Sequence, residues 1–182
     1  MDKDRNCVSC VQSLYHPFGS HILIEGTGVV LHNRGAYFTL EKAHHNKLEP
    51  GKRPFHTLCA SITFKDGEPH IILGSTGGDG QPQTHIQLLS SIIDYGLNIQ
   101  EAIYSPRWFL PGTIYEKHKV LLLEGRLPTR VIEELKAIGH RVEVVEPFSS
   151  LMGHAQGITI SKDRRTLYGG ADPRGDGLAI GY

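Results

Sequence analysis

The chain has 182 residues, with 19 Lys and Arg against 19 Asp and Glu. That length suffices for one domain with a real core, and the charge balance leaves no strong field to attract nucleic acid or an anionic membrane. No apolar run approaches the ~20 residues that span a bilayer, Met1-Asp2-Lys3-Asp4-Arg5 is too charged to open a secretory signal, and three cysteines argue against a disulfide scaffold and for a reducing, cytoplasmic setting.

Asp2-Lys3-Asp4-Arg5-Asn6 is a turn signal, and a strand is expected to follow over residues 7–13. A hairpin turn calls for a strand before it as well, so the chain reads as entering in the middle of a hairpin. Cys7 and Cys10 form a C-x-x-C, but residues three apart on a strand face opposite ways. Buried, unreactive thiols are expected there rather than a metal or redox pair. A second strand is expected over 28–32. Residues 41–53 are polar, carry Pro50 and Gly51, and read as a loop in which His44-His45 is solvated. Residues 58–64 alternate as a strand, Lys65-Asp66-Gly67 turns the chain, and 70–73 returns as the partner. A helix is expected over 83–95, with Ile86, Leu89, Ile92 and Ile93 on one face and Gly96 as its stop. A short helix over 99–103 ends near Pro106. Then come a strand over 119–123, a helix from Pro128 to Gly139 and a strand over 141–145. Strands at 156–161 and 166–168 form a last hairpin, and 169–177 is too rich in turn residues for regular structure. The class is α+β, a single domain over 1–182, with no metal site and no cofactor motif.

The run Ile71-Ile72-Leu73-Gly74-Ser75-Thr76-Gly77-Gly78-Asp79-Gly80-Gln81-Pro82-Gln83 carries the most chemistry. An apolar strand feeds a glycine-rich turn that opens a helix, which leaves unpaired N–H groups at a partly positive helix end. A P-loop needs a lysine after its glycines, and none is present; Asp79 would repel a phosphate. The spacing of Gly74, Gly77, Gly78 and Gly80 does not match a dinucleotide fingerprint. A tight turn without a ligand, or an oxyanion hole built from the Gly77 and Gly78 amides, remains.

The wider sequence resembles a known family. Asp2-Lys3-Asp4-Arg5-Asn6-Cys7-Val8-Ser9 is similar to the "DKDGNAVS" opening of the γ-glutamyltranspeptidase small subunit. Phe18-Gly19-Ser20, Gly26-Thr27-Gly28-Val29-Val30-Leu31-His32-Asn33-Arg34 and Pro50-Gly51-Lys52-Arg53-Pro54 follow in the family's order. So do Gly77-Gly78-Asp79-Gly80-Gln81-Pro82-Gln83, Asp94-Tyr95-Gly96-Leu97-Asn98, Glu101-Ala102, Pro106-Arg107 and Ala171-Asp172-Pro173-Arg174. The resemblance covers almost the whole chain and looks closest to the branch with γ-glutamyltranspeptidase-like proteins and cephalosporin acylases. It implies the N-terminal nucleophile hydrolase fold, an αββα sandwich of which this is the small-subunit portion without its first strand. It also implies a self-cleaving precursor and a large-subunit partner. An N-terminal Thr attacks a γ-glutamyl or related acyl amide with its own α-amine as base. By the same resemblance, Gly77 and Gly78 hold the oxyanion and Ser13 places a hydroxyl beside the nucleophile's amine. The nucleophile is expected upstream of Met1, so this chain alone should not catalyse acyl transfer. A homo-oligomer is compatible with the sequence.

The departures concern the substrate. Where the family's usual Gln and Asp hold an α-ammonium, this chain has Arg34 and Tyr37. An arginine repels an ammonium, and a tyrosine offers no full negative charge at neutral pH. The two serines that usually hold the α-carboxylate match His56 and Thr57, and the flanking Asn matches Tyr15. A different acyl group, such as a diacid presented to Arg34, is one reading; a structural Arg34 and a packed Tyr37 is the other. Two rival functions stay open: a non-catalytic binding or assembly module, and a small phosphate-ligand binder using the loop from Gly74 to Gly80.

Overall fold

The computed structural model describes residues 1–111 and 120–181. Contacts divide them into two compact units: Gln12–Leu58, and Met1–Val11 together with the described residues from Cys59 onward.

The larger unit is built on a four-stranded antiparallel sheet, ordered β3-β4-β8-β9, numbering strands along the chain. The expected hairpin is present as β3 (Ala60–Lys65) and β4 (Glu68–Ser75), turning through Asp66 and Gly67, both at positive φ. Strand β8 (Ala155–Ile160) pairs with β4, and β9 (Leu167–Ala171) pairs with β8. Strand alternation sends Ile71 and Leu73 to one face, where helices α1 (Gln81–Ile93) and α2 (Ile99–Tyr104) cover them. The core there is Ile71, Leu73, Leu88, Ile99, Ala102, Ile103 and Ala155. Gly157 and Gly170 let α2 approach closely: a Cβ on Gly157 would lie 2.7 Å from both Ile99 and Leu73. Asn98 and Glu101 form a capping box that starts α2.

A second sheet, ordered β5-β6-β7, joins β5 (Trp108–Phe109) antiparallel to β6 (Leu121–Glu124), and β6 parallel to β7 (Val142–Val145). Helix α3 (Thr129–Ala137) makes the crossover, with Pro128 as its N-cap. This is the expected β-α-β unit; the start of its first strand, at Lys119, lies outside the described residues. The smaller unit holds a two-stranded sheet, β1 (Leu23–Ile24) with β2 (Val29–Val30), the second within the strand expected over 28–32.

Four expectations are corrected. Residues 7–13 join no sheet, although their exposure alternates as in an extended segment; Ser9 donates its hydroxyl to the Leu73 carbonyl at 2.6 Å, and Val11 packs on Gly74. Cys7 is half-buried and Cys10 exposed, because alternation turns Cys10 outward. On α1, Leu89 and Ile92 pack against the core as expected, but Ile86 and Ile93 are exposed, and the fully buried positions are Gln81, Thr84, His85 and Leu88. These polar residues are buried because each has a partner: Gln81 accepts from the Cys59 amide, Thr84 donates to the Met152 carbonyl, and His85 meets Ser61. The tail is more ordered than its composition suggests, since β9 runs to Ala171 and Asp172 and Arg174 are buried. Strand β5, which the sequence reading omits, is held by α1. Gln87 and Gln83 present their side-chain amides to Trp108 and Leu110, each giving and accepting one hydrogen bond. Among the described residues, no helix is long and apolar enough to cross a membrane.

Candidate active site

Strand β4 ends at Ser75, and the chain turns through Thr76 to Gly80 straight into α1. Gly77 adopts φ 121° and Gly78 φ 53°, conformations that side chains disfavour. Gly80 donates its amide to the Gly77 carbonyl at 2.9 Å, which closes the turn. Among the described residues, neither the Gly77 nor the Gly78 amide donates to a protein acceptor. The N-terminus of α1 lies directly behind them with no side-chain cap. Adjacent unpaired amides ahead of a helix N-terminus can stabilise an oxygen that gains negative charge.

The turn is braced from β8. Thr76 donates its amide to the His154 carbonyl, and the His154 amide donates to Thr76 Oγ1, both at 3.0 Å. Gly153 is required beside them: at φ 74°, a Cβ there would lie 2.4 Å from the Thr76 carbonyl oxygen. Gly153 is itself held from below, since its carbonyl accepts from Arg107 Nη1 at 3.1 Å.

Arg107 belongs to a buried ionic network that sequence reading missed as a unit. Asp172 accepts from Arg107 Nη2 and from the Ala155 amide, both at 2.7 Å, and from Arg174 at 3.0 Å. Arg174 also grips Glu124 with two bonds of 2.6 Å. Arg126 reaches Glu124 at 3.0 Å and lies over the Phe148 ring, 3.7 Å from its centroid. Burial acts to raise both carboxyls, yet the facing guanidiniums hold Asp172 and Glu124 below their usual values. The network thus fastens the tail, β6 and the start of β8 beneath the glycine turn. The words Pro106-Arg107 and Asp172-Pro173-Arg174 were the available signal, but nothing local pairs them.

In the smaller unit, Arg34 and Tyr37 share one 3-10 turn, Arg34–Tyr37, and both are buried. Arg34 Nη1 donates to Thr57 Oγ1 at 3.1 Å. The Arg34 guanidinium lies 5.8 Å from the Tyr15 ring centroid, and Tyr15 packs on Tyr37 at 4.5 Å. Phe55 meets Tyr37 edge-on. Four expected substrate residues, Tyr15, Arg34, Tyr37 and Thr57, therefore form one cluster. His56 is exposed, and its Nδ1 accepts from the Leu58 amide. Ser13 Oγ accepts the Tyr15 amide at 2.9 Å, supporting the positive φ of Tyr15. Among the described residues, no three or more His, Cys, Asp or Glu side chains group as a metal site.

The comparisons agree with this architecture. The family model for gamma-glutamyltranspeptidase matches residues 1–182. A glutathione hydrolase-like YwrD proenzyme of Bacillus subtilis is 46% identical over 181 residues, covering 100% of this chain and 34% of that protein. An oxamate amidohydrolase proenzyme of Klebsiella pneumoniae is 44% identical over 183 residues, again covering 100% of this chain and 34% of the relative. The chain thus spans about a third of the length of these curated relatives. The crystal structure of a cephalosporin acylase from Bacillus halodurans superposes with a TM-score of 0.84 at 35% identity, over 94% of this chain and 32% of that one. The α+β fold is that of the N-terminal nucleophile hydrolases, and the chain belongs to the γ-glutamyltranspeptidase family.

Proposed function

We propose that this chain is the small-subunit portion of an amidohydrolase or acyltransferase that acts on γ-glutamyl or related acyl amides. The observation that carries this reading is the Gly77–Gly78 turn, whose two amides are unpaired among the described residues and backed by α1. The nucleophile is a threonine on a segment upstream of Met1, freed at a new N-terminus by cleavage of a precursor whose other product is the large subunit. Its hydroxyl oxygen attacks the amide carbon while its own α-amine takes the proton. The carbonyl oxygen becomes an oxyanion held by the Gly77 and Gly78 amides, worth about 3–4 kcal/mol of barrier per donor in comparable sites. The C–N bond then breaks, the amine leaves with the proton, and water or an acceptor amine takes the acyl group. Ser13 supplies a hydroxyl to the nucleophile's amine. Tyr15, Arg34, Tyr37, His56 and Thr57 form the wall that selects the acyl group. The free thiols favour a reducing, cytoplasmic setting for the assembled protein.

Translation of the genomic DNA upstream of Met1 in all frames tests this. An in-frame threonine preceded by a large-subunit-like sequence is expected. Stop codons with no such sequence would leave a binding or assembly module instead.

A further inference from the structure

Gln83 and Gln87 stand one helical turn apart on α1 and make matching contacts with the segment that contains β5. Gln87 Nε2 donates to the Trp108 carbonyl and to the Gln83 carbonyl, both at 3.0 Å, and its Oε1 accepts the Trp108 amide at 3.0 Å. Gln83 Nε2 donates to the Leu110 carbonyl at 3.1 Å and to the Asp79 carbonyl at 3.3 Å, and its Oε1 accepts the Leu110 amide at 2.9 Å. Each side-chain amide thus uses both of its N–H donors and its oxygen. The two differ in where the remaining bond lands. For Gln87 it is another carbonyl of α1; for Gln83 it is Asp79, inside the glycine turn.

The same segment touches the turn at two further points. A Cβ on Gly80 would lie 3.2 Å from Phe109 Cε2, so the Phe109 ring lies against Gly80. The Gly80 amide is the one that closes the turn on the Gly77 carbonyl. Arg107 holds the Gly153 carbonyl at 3.1 Å, and a Cβ on Gly77 would lie 3.3 Å from Gly153 Cα. Residues 107–110 therefore reach the turn through Gly153, through Gly80 and, by way of Gln83, through Asp79.

We propose that Gln83 is a positioning residue for the oxyanion site: with Phe109, it seats the Gly77–Gly78 turn against the end of β5. This rests on the amidohydrolase reading above. An oxyanion donor is effective when its N–H is fixed in place before charge develops. Gly77, Gly78 and Gly80 have no side chains with which to hold the turn, and glycine loses more backbone freedom on ordering than any other residue. The Gln83 bond and the Phe109 ring supply that restraint from outside the turn. The oxyanion exists in the transition state and not in the bound substrate, so loosening the turn should act on kcat and leave KM nearly alone.

Gln87 is the matched control. Gln83→Leu and Gln87→Leu each remove two bonds to the β5 segment and one bond to a carbonyl four residues back, so they should lower the urea midpoint alike. Both are made in the protein expressed from its complete reading frame and assayed with γ-glutamyl and glutaryl 4-nitroanilides. In Gln83→Leu, kcat is expected to fall about ten- to a hundredfold with KM within about twofold, since a displaced oxyanion donor costs part of what a lost one does. In Gln87→Leu, both should stay within about twofold. Hydrogen exchange of the Gly80 amide reads the turn without turnover; it should quicken about fivefold or more in Gln83→Leu, the equivalent of one hydrogen bond, and not in Gln87→Leu. Phe109→Leu covers the case in which Gln83→Leu fails to fold, and should lower kcat about tenfold with KM unmoved. Equal losses of kcat in the two glutamine variants, no loss in Gln83→Leu, or a loss that falls on KM would overturn this inference and leave the amidohydrolase reading standing. Where Gln83→Leu does not fold, an unchanged kcat in Phe109→Leu would do the same. A wild-type protein that turns over neither anilide would remove the amidohydrolase reading, and this inference with it.

Discussion

Gly153→Ala probes the brace beneath the glycine turn without touching Gly77 or Gly78. The new Cβ would lie 2.4 Å from the Thr76 carbonyl oxygen and 3.2 Å from Ser75 Oγ. A backbone oxygen cannot rotate away as a flexible side chain can, so Thr76 and Gly153 must separate by about 1 Å to reach ordinary contact. That movement breaks the paired Thr76–His154 bonds, which contribute about 1 kcal/mol each. Placing an alanine at φ 74° adds about 1 kcal/mol of strain. The total is about 3 kcal/mol, large against the stability of one domain. Displacing the adjacent Gly77 amide by such a distance should lower kcat by about 10²–10³, as loss of an oxyanion donor does elsewhere. The assay pairs urea denaturation with turnover of an acyl anilide, in the protein expressed from its complete reading frame. A variant within 0.5 kcal/mol of wild type and with kcat unchanged would refute the reasoning, because Thr76 and Gly153 would then be free to move apart.

Asp172→Asn should destabilise the protein by about 3–5 kcal/mol, because it leaves Arg107 and Arg174 buried with one carboxylate between them; a change below 1 kcal/mol would show that the network is not holding the tail. Acid should weaken the fold in two stages. His85 is pushed below its ordinary 6.5 by burial, so the unfolded chain binds its proton first, and stability is lost as pH falls through and below 6.5. Replacing His85 with Gln should flatten the urea midpoint between pH 7 and pH 5.5, and an unaltered slope would assign that loss to other groups. Asp172 and Glu124 have lowered pKa values, so their contribution is present above about pH 4 and fades as pH falls below it.

What the sequence discloses follows the range of the interactions that decide each element. The β3–β4 hairpin, the two helices after it and the β6-α3-β7 unit are written in turns, caps and alternation, all within a few residues. The glycine turn is equally local, and so is its separation from phosphate motifs. Register with a distant partner is not. Strand β5 pairs with β6 on one side, and the side-chain amides of Gln87 and Gln83 hold Trp108 and the adjacent Leu110 on the other, which no strand propensity records. Hydropathy points to Ile86 and Ile93 as the inner face of α1, yet hydrogen bonds across the fold bury Thr84 and His85 instead. The turn-rich tail is ordered by Asp172 and Arg174, whose partners Arg107 and Glu124 lie 65 and 50 residues away. In the smaller unit, the substitutions at Arg34 and Tyr37 were readable against the family pattern. The contact that gives Arg34 the Thr57 hydroxyl for a partner was not.

The central claim is that Gly77 and Gly78 form the oxyanion half of an active site whose nucleophile is an N-terminal threonine. Intact-mass spectrometry of the protein expressed from its complete reading frame, quenched during turnover of an acyl amide, tests it most directly. The account predicts two polypeptides, the smaller containing this chain and carrying one acyl adduct on its N-terminal threonine. A single uncleaved polypeptide with no adduct would contradict it.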